Sequence, residues 1–157
     1  MIQVFKKNVG PLSMALAVSI SLLTNVAQAA PVEAPSQWSK LDLTGVQVNA
    51  LALDPSTPNL IYAGSNGGGV FQSMDGGQTW AVINNGLGNF FVNALSIDPT
   101  NPAIVLAGTG RGPLVGEPSA GVYRTTNRGN TWAAAITMAD TLALARTPQN
   151  AQVVYAG

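Results

Sequence analysis

The chain has 157 residues, of which only 9% are charged, and its formal net charge is zero. This length suits one ordinary domain, and without a basic cluster there is no electrostatic basis for binding nucleic acid. The chain contains neither Cys nor His, which excludes disulfides, thiolate or histidine zinc sites, and Ser-His-Asp or Cys-His catalysis.

The first 29 residues have the pattern of a secretory signal peptide. Lys6 and Lys7 precede a mostly apolar stretch, residues 9–23, and the small-x-small triplet Ala27-Gln28-Ala29 follows. The alternative is a membrane anchor, but the apolar stretch contains Pro11 and is shorter than the roughly 20 residues that span a bilayer. The pattern predicts cleavage before Ala30 and export to the periplasm or the extracellular space, with no membrane attachment afterwards.

The predicted elements after the signal are short strands. Residues 30–37 form a proline-containing extended leader. Alternating or β-prone residues separated by Gly, Pro, Asn and Asp turns predict five strands in the first half of the chain. These strands are Trp38–Asp42, Val48–Asp54, Leu60–Gly64, Val70–Ser73 and Trp80–Ile83.

The same order of strands returns further along the chain. Residues 92–99 repeat residues 48–55 at an offset of 44, and residues 104–108 repeat residues 60–64 at the same offset. From Gly121 the offset is 52, which places an eight-residue insertion before it, and a third copy begins near Ala143.

Four short strands in a unit of about 44 residues are typical of a β-propeller. An all-β sandwich of unrelated strands is the alternative, but it does not require a motif to return in register. We therefore predict an all-β fold, a partial propeller with about two and a half blades. The predicted parts are a closing outer strand at 38–44, blade 1 at 46–84, blade 2 at 90–136 and the start of blade 3 at 141–157.

An eight-residue turn motif separates the third and fourth strands of each full blade. The first box is Ser73–Trp80, where Asp-Gly-Gly supplies a short carboxylate followed by glycines that tolerate positive φ. The second box is Thr125–Trp132, in which Asn127 replaces Asp75.

Both boxes resemble the Asp-box, or BNR repeat, of exported bacterial propellers related to sialidases, sortilins and xyloglucanases. The resemblance covers nearly all of residues 38–157, and only Asn127 departs from the motif. The matching positions are Ser73, Asp75, Gly77, Thr79 and Trp80 in the first box and Thr125, Gly129, Thr131 and Trp132 in the second.

This resemblance implies that each box is a structural turn that faces away from the ligand. We expect Asp75 to accept backbone hydrogen bonds, Trp80 to be buried between blades, and the Asn127 turn to be the weaker of the two. The alternative makes the box aspartates catalytic groups or calcium ligands.

The resemblance does not bring a complete active site with it. Sialidases use an arginine triad, but Arg124 falls in a predicted strand and Arg128 in a box. Other glycosidases need two carboxylates roughly 5–10 Å apart. The acids outside strand ends and turns are Glu33, Glu117 and Asp140. Nothing in the sequence indicates that any two of them lie close enough to act as such a pair. We predict no catalytic residue, metal or cofactor in this chain.

The insertion at 109–120 gives the chain its one distinctive loop. Propellers usually bind partners on the face opposite the boxes, and this loop is expected there. Its two charges, Arg111 and Glu117, are weak candidates for ligand contacts. The alternative is an ordinary solvated loop in which the two charges pair for little energy.

A propeller closes with four to eight blades. We therefore expect the remaining blades to come from further sequence or from self-assembly, and the Trp38 strand to complete the last blade. The predicted function is an exported module that binds or scaffolds an unknown protein or carbohydrate without catalysis. The alternative is the N-terminal part of a glycoside hydrolase whose catalytic residues lie downstream.

Overall fold

A computed structural model describes residues 5–7, 38–40, 43, 45–110, 120–137, 140–147 and 150–157. The chain divides into a smaller unit, Phe5–Lys40, and a larger unit that includes Leu41–Gly157. In the smaller unit, β1 (Phe5–Lys7) pairs antiparallel with β2 (Trp38–Lys40). Of the strand predicted at Trp38–Asp42, the last two residues lie outside the described residues, and the place of β2 in the last blade stays a prediction. Among the described residues, no helix is long and apolar enough to cross a membrane.

The first blade is a four-stranded antiparallel sheet in which neighbouring strands follow one another along the chain. Short turns rich in Gly, Asn, Asp and Pro make this order possible, because antiparallel neighbours need only tight connections. Its strands are β3 (Val48–Leu53), β4 (Ile61–Ser65), β5 (Val70–Ser73) and β6 (Ala81–Val82).

The second blade repeats the first in order and in register. Ala52 pairs with Tyr62 in the first blade, and Ser96 pairs with Leu106 at the equivalent place in the second. A third sheet has two described strands. The strands are β7 (Val92–Ile97), β8 (Val105–Thr109), β9 (Gly121–Thr125) and β10 (Ala133–Thr137), followed by β11 (Leu144–Thr147) and β12 (Asn150–Ala156) of the third blade.

The larger unit is therefore part of a β-propeller, and the predicted fold class is confirmed. Each box lies between the third and fourth strands of its blade, as expected. The fourth strand of the first blade is shorter than predicted, with two residues rather than four.

The hydrophobic core lies between the first and second blades. Its members are buried because each sheet covers one apolar face of the other. Gly64 belongs to this contact, since a Cβ on it would lie 2.6 Å from Cγ1 of Val92. The cluster consists of Leu60, Tyr62, Val70, Leu87, Val92, Val105, Ala107, Tyr123 and Trp132.

Hydrogen bonds from asparagine side chains join the innermost strands of successive blades. Nδ2 of Asn49 donates to the carbonyl of Val92 at 3.3 Å, and Nδ2 of Asn93 donates to the carbonyl of Thr141 at 3.3 Å. The two asparagines are equivalent positions of the repeat, and in the third blade Leu142 takes their place.

Candidate functional site

The box turns and the turns between first and second strands share one side of the blades, here called the box face. The amide of Gly76 donates to the carbonyl of Asn59 at 2.9 Å, and the amide of Arg128 donates to the carbonyl of Ala103 at 3.0 Å. The connections from second to third strands and from one blade to the next lie at the other strand ends. That side is the loop face.

The first box is organised by the carboxylate of Asp75. Oδ1 accepts the amides of Gln78 and Thr79, each at 2.9 Å, and Oδ2 accepts the Thr79 hydroxyl at 2.6 Å. The Ser73 hydroxyl donates to Oδ1 at 2.8 Å and accepts the amide of Gly77 at 2.7 Å. These bonds confirm that Asp75 accepts backbone donors. Both of its carboxylate oxygens accept hydrogen bonds from residues of the same turn.

The second box has the same frame with fewer bonds to the central side chain. Oδ1 of Asn127 accepts one backbone amide, that of Thr131 at 3.0 Å, together with the Thr125 hydroxyl at 2.8 Å. Nδ2 of Asn127 donates to Oγ1 of Thr131 at 2.8 Å, which reverses the bond that the carboxylate makes in the first box. The amide of Gly129 donates to the Thr125 hydroxyl at 3.0 Å.

The two box tryptophans differ in their surroundings. Trp132 is 4% exposed, and its indole Nε1 donates to the carbonyl of Ile83 in the first blade at 2.7 Å. Trp80 is half-buried, and its Nε1 donates within its own turn, to the carbonyl of Gly77 at 3.1 Å. The expectation that Trp80 is buried between blades stays a prediction, because no preceding blade is described that could cover its ring as the first blade covers Trp132.

Two further aspartates close the turn after the first strand of each full blade. Oδ1 of Asp54 accepts the Ser56 hydroxyl and the amides of Ser56 and Thr57, at 2.7–3.0 Å. Asp98 makes the same turn with Thr100 and Asn101. Both residues are buried, so neither carboxylate is presented to a ligand.

Only Asp98 is also joined to the next blade. Nη1 of Arg146 lies 3.4 Å from Oδ2 of Asp98, and its Nε donates to the Ser96 hydroxyl at 2.9 Å. The position equivalent to Arg146 in the second blade is Ile97. As a result, the buried Oδ2 of Asp54 has no hydrogen-bond partner among the described residues.

These turns lower the pKa of their carboxyl groups. The hydrogen bonds from Thr79 hold the pKa of Asp75 far below its usual range. The Thr100 hydroxyl lowers the pKa of Asp98, against the effect of burial. For Asp54, burial raises the pKa, but the bonds from Ser56 and Thr57 outweigh it and the pKa is lowered.

The first box is expected to contribute stability that depends on pH. Because the pKa of Asp75 is lower in the folded chain than in the unfolded chain, its contribution is complete above about pH 4 and is lost as the pH falls further. Asp75→Asn should lose part of this dependence, and Asn127→Asp should add to it. Urea unfolding of the three proteins between pH 2 and pH 7 measures the effect. Identical pH profiles for all three would contradict it.

The loop face carries a patch of exposed polar and aromatic groups where the first and second blades meet. Nδ2 of Asn66 donates to Oε1 of Gln47 at 3.0 Å, and both side chains are exposed. The amides of Gly67 and Gly69 donate to the carbonyl of Phe90 at 3.1 and 2.9 Å, and Phe90 is 46% exposed. We call Gln47, Asn66 and Phe90 the loop-face patch.

Sequence reasoning missed this patch. The doublet Phe90-Phe91 after a glycine-rich turn was its only sign, since an alternating strand accounts for one aromatic ring but not for both. The patch is formed because the turn 84–91 crosses from the outer strand of one blade to the inner strand of the next.

The charged candidates are not brought together among the described residues. Arg111, Glu117 and Glu33 lie outside the described residues. Arg124 lies in β9 and Arg128 in the second box, as predicted, while Asp140 is half-buried before the third blade. Within the described part of the chain, no group of three or more acidic side chains could hold a metal ion.

The box face has an open cleft of about 410 Å³ between the first and second blades. Among the described residues, its lining includes the apolar Leu60 and Met74 and one cation, Arg128, but no carboxylate. A cleft with this lining has no acid and base pair, so it does not offer glycosidase chemistry.

The described sheets define this protein as part of a β-propeller, and comparisons with known proteins agree. No protein-family model matches the chain, and no curated protein sequence matches it. Among solved structures, an ancestral GH74 enzyme is 27% identical with a TM-score of 0.59, over 70% of this chain and 13% of that one. A GH74 enzyme from Niastella koreensis is 28% identical with a TM-score of 0.50, over 70% of this chain and 19% of that one.

A more distant structure shows the fold alone. The GH74 xyloglucanase from Xanthomonas campestris is 18% identical with a TM-score of 0.51, over 63% of this chain and 17% of that one. The chain thus spans less than a fifth of the length of these glycoside hydrolases.

Proposed function

We propose that this chain is a non-catalytic propeller section that binds a neutral polysaccharide through the loop-face patch. The observation that supports a non-catalytic role is the use of three carboxylates among the described residues. Asp54, Asp75 and Asp98 each accept several hydrogen bonds within a turn, and two of them are buried. None is free to act as the acid, base or nucleophile of glycoside hydrolysis.

Three features support a neutral sugar polymer as the ligand. Phe90 offers an exposed ring on which a sugar can stack, and the amides of Gln47 and Asn66 can donate to and accept from hydroxyl groups. The patch contains no charge, which disfavours a charged ligand. The similar solved structures with 27–28% identity are glycoside hydrolases of the GH74 class.

Replacing Phe90 tests this proposal. We expect the purified chain to bind xyloglucan in affinity gel electrophoresis and Phe90→Ala to weaken binding roughly tenfold, equivalent to about 1.4 kcal/mol. Met74→Ala is the matched control, since Met74 is a 76% exposed apolar residue on the box face. Equal loss of binding in both variants, or no binding by the unaltered chain, would contradict the assignment.

A second candidate function is supported by the comparisons. The similarity to two GH74 enzymes favours a chain that supplies blades to a glycoside hydrolase whose catalytic carboxylates lie in other blades. Release of reducing sugar from xyloglucan distinguishes the two candidates: the 157-residue chain should release none, and a longer product of the same reading frame should release it only if this second candidate holds.

We also propose that the protein is exported and that its two boxes belong to the Asp-box class. Export is supported by the sequence pattern of residues 1–29, and N-terminal sequencing of the mature protein should begin at Ala30. The Asp-box class is supported by the shared bonding of Ser73 with Gly77 and of Thr125 with Gly129.

A further inference from the structure

An asparagine or aspartate precedes a glycine at three places in the sequence, and each place lies between two strands of the structure. The pairs are Asn66-Gly67, Asp75-Gly76 and Asn85-Gly86. All three glycines have a positive φ, of 91°, 73° and 81° respectively. Because glycine has no Cβ to shield its backbone nitrogen, that nitrogen can attack the side chain of the residue before it. The three pairs share this reactive pattern, and the contacts of each nitrogen distinguish them.

The fold occupies the glycine nitrogen in two of the three pairs. The Gly67 amide donates to the carbonyl of Phe90 at 3.1 Å, and the Gly76 amide donates to the carbonyl of Asn59 at 2.9 Å. A nitrogen in such a bond has to give it up before it can attack, which costs free energy. Asp75 is protected further, because the pKa of its carboxyl group is far below the usual range and an ionised carboxylate is a poor target for a nucleophile.

The nitrogen of the third pair is free. Among the described residues, no hydrogen-bond acceptor meets the Gly86 amide. Asn85 and Gly86 are both exposed, so water reaches them. The Asn85 side chain makes one long bond, from Nδ2 to the carbonyl of Asn130 at 3.4 Å, whereas Nδ2 of Asn66 donates to Oε1 of Gln47 at 3.0 Å. The attacking nitrogen and the attacked side chain are therefore both less restrained in the third pair.

We propose that Asn85 is a site of spontaneous deamidation and that the fold protects Asn66 from the same reaction. The Gly86 nitrogen loses its proton to hydroxide and attacks Cγ of Asn85. The bond between this nitrogen and Cγ forms, the bond between Cγ and Nδ2 breaks, and Nδ2 takes up a proton and leaves as ammonia. Water then opens the resulting succinimide ring. Opening at Cγ gives aspartate, and opening at the main-chain carbonyl gives isoaspartate, in which the backbone continues through the former side chain.

The product alters the contact between the first and second blades, because this turn belongs to it. The carbonyl of Asn85 accepts the Trp132 amide at 2.8 Å, and a Cβ on Gly86 would lie 2.2 Å from the Trp132 carbonyl oxygen. Isoaspartate adds one carbon to the backbone here, and a contact packed this closely has no room for it. Aspartate keeps the backbone but turns a carboxylate toward the carbonyl of Asn130, where the amide donated a hydrogen bond.

Incubation of the purified chain in mildly alkaline buffer, followed by mass spectrometry of chymotryptic peptides, measures the reaction at each site. Phe71 and Trp80 lie between the two asparagines, so chymotrypsin places Asn66 and Asn85 in different peptides. We expect Asn85 to deamidate about fivefold faster than Asn66, the factor that corresponds to a hydrogen bond of typical net strength. A mixture of aspartate and isoaspartate at this residue identifies the succinimide route, and its rate should rise with pH.

The same incubation in concentrated urea is the matched control, because unfolding releases the bond between Gly67 and Phe90. Asn66 and Asn85 should then react at similar rates. Equal rates in the folded chain, or a faster reaction at Asn66, would overturn the proposal. A preference for Asn85 that is as large in urea as in the folded chain would also overturn it, since the neighbouring residues of the sequence would then decide the rate.

Separation of the deamidated chain by anion exchange tests the effect on the blade contact. The isoaspartate form should unfold at a lower urea concentration than the unaltered chain. Asn85→Asp, which has the new charge without the added carbon, should lie between the two. An isoaspartate form as stable as the unaltered chain would contradict the expected effect on the contact. The reaction and its effect concern the turn between the blades and do not depend on the ligand of the loop-face patch.

Discussion

Trp132→Ala is expected to destabilise the chain by roughly 3–5 kcal/mol, as is typical when a buried tryptophan is truncated. The Trp132 ring is 4% exposed in the core cluster between the blades. Its indole donates to Ile83 at 2.7 Å and its amide donates to Asn85 at 2.8 Å, so one residue joins the second blade to the outer strand and following turn of the first. The substitution leaves a cavity and an unpaired carbonyl in the blade contact.

Trp80→Ala is the matched control, because it removes the same ring from the equivalent position of the first box. Trp80 is half-buried, and its indole bond stays within its own turn. We expect a loss of less than about 2 kcal/mol, in proportion to the smaller apolar area removed from contact. Urea unfolding followed by circular dichroism at one protein concentration compares the two variants. Equal losses would show that Trp132 does not hold the two blades together.

Gly86→Ala is expected to be the second strongly destabilising change. Gly86 has a φ of 81°, and a Cβ on it would lie 2.2 Å from the carbonyl oxygen of Trp132. An alanine there is strained by its backbone conformation and also pushes against the backbone of the second blade, which cannot move without opening the contact.

Gly45→Ala separates these two effects. Gly45 has the same φ of 81°, but a Cβ on it would meet no atom of the described residues within 4 Å. This control should lose only the conformational cost, roughly 1–2 kcal/mol, whereas Gly86→Ala should lose roughly 1–3 kcal/mol more for the overlap. The same urea unfolding measures both variants. If Gly45→Ala were as damaging as Gly86→Ala, the overlap with Trp132 would not be the cause.

The blade strands could be predicted from the sequence because they depend on local pattern. Val48–Leu53 and Val92–Ile97 are short, mostly apolar runs that are followed by Asp-Pro, and the structure has strands there. The bonds around Asp75 could also be foreseen, since a short carboxylate followed by glycines binds its own backbone. The weaker bonding of Asn127 follows from its single acceptor oxygen.

The candidate site could not be predicted in the same way. Phe90 is 46% exposed on a turn whose backbone accepts the amides of Gly67 and Gly69 from the neighbouring blade, and no local pattern encodes that contact. The different burial of Trp80 and Trp132 has a similar origin. Both residues have the same motif around them, but only Trp132 has a described blade against it.

The sequence by itself determined that the chain forms repeated four-stranded sheets, with boxes at fixed places, because strand alternation and turn chemistry act within a few residues. Only the tertiary structure decided which equivalent residues are buried. Tyr62 and Tyr155 have the same place in the repeat, yet one is fully buried and the other is 65% exposed. The physical reason is that burial belongs to the contact between two sheets, and a local pattern specifies only one of the two.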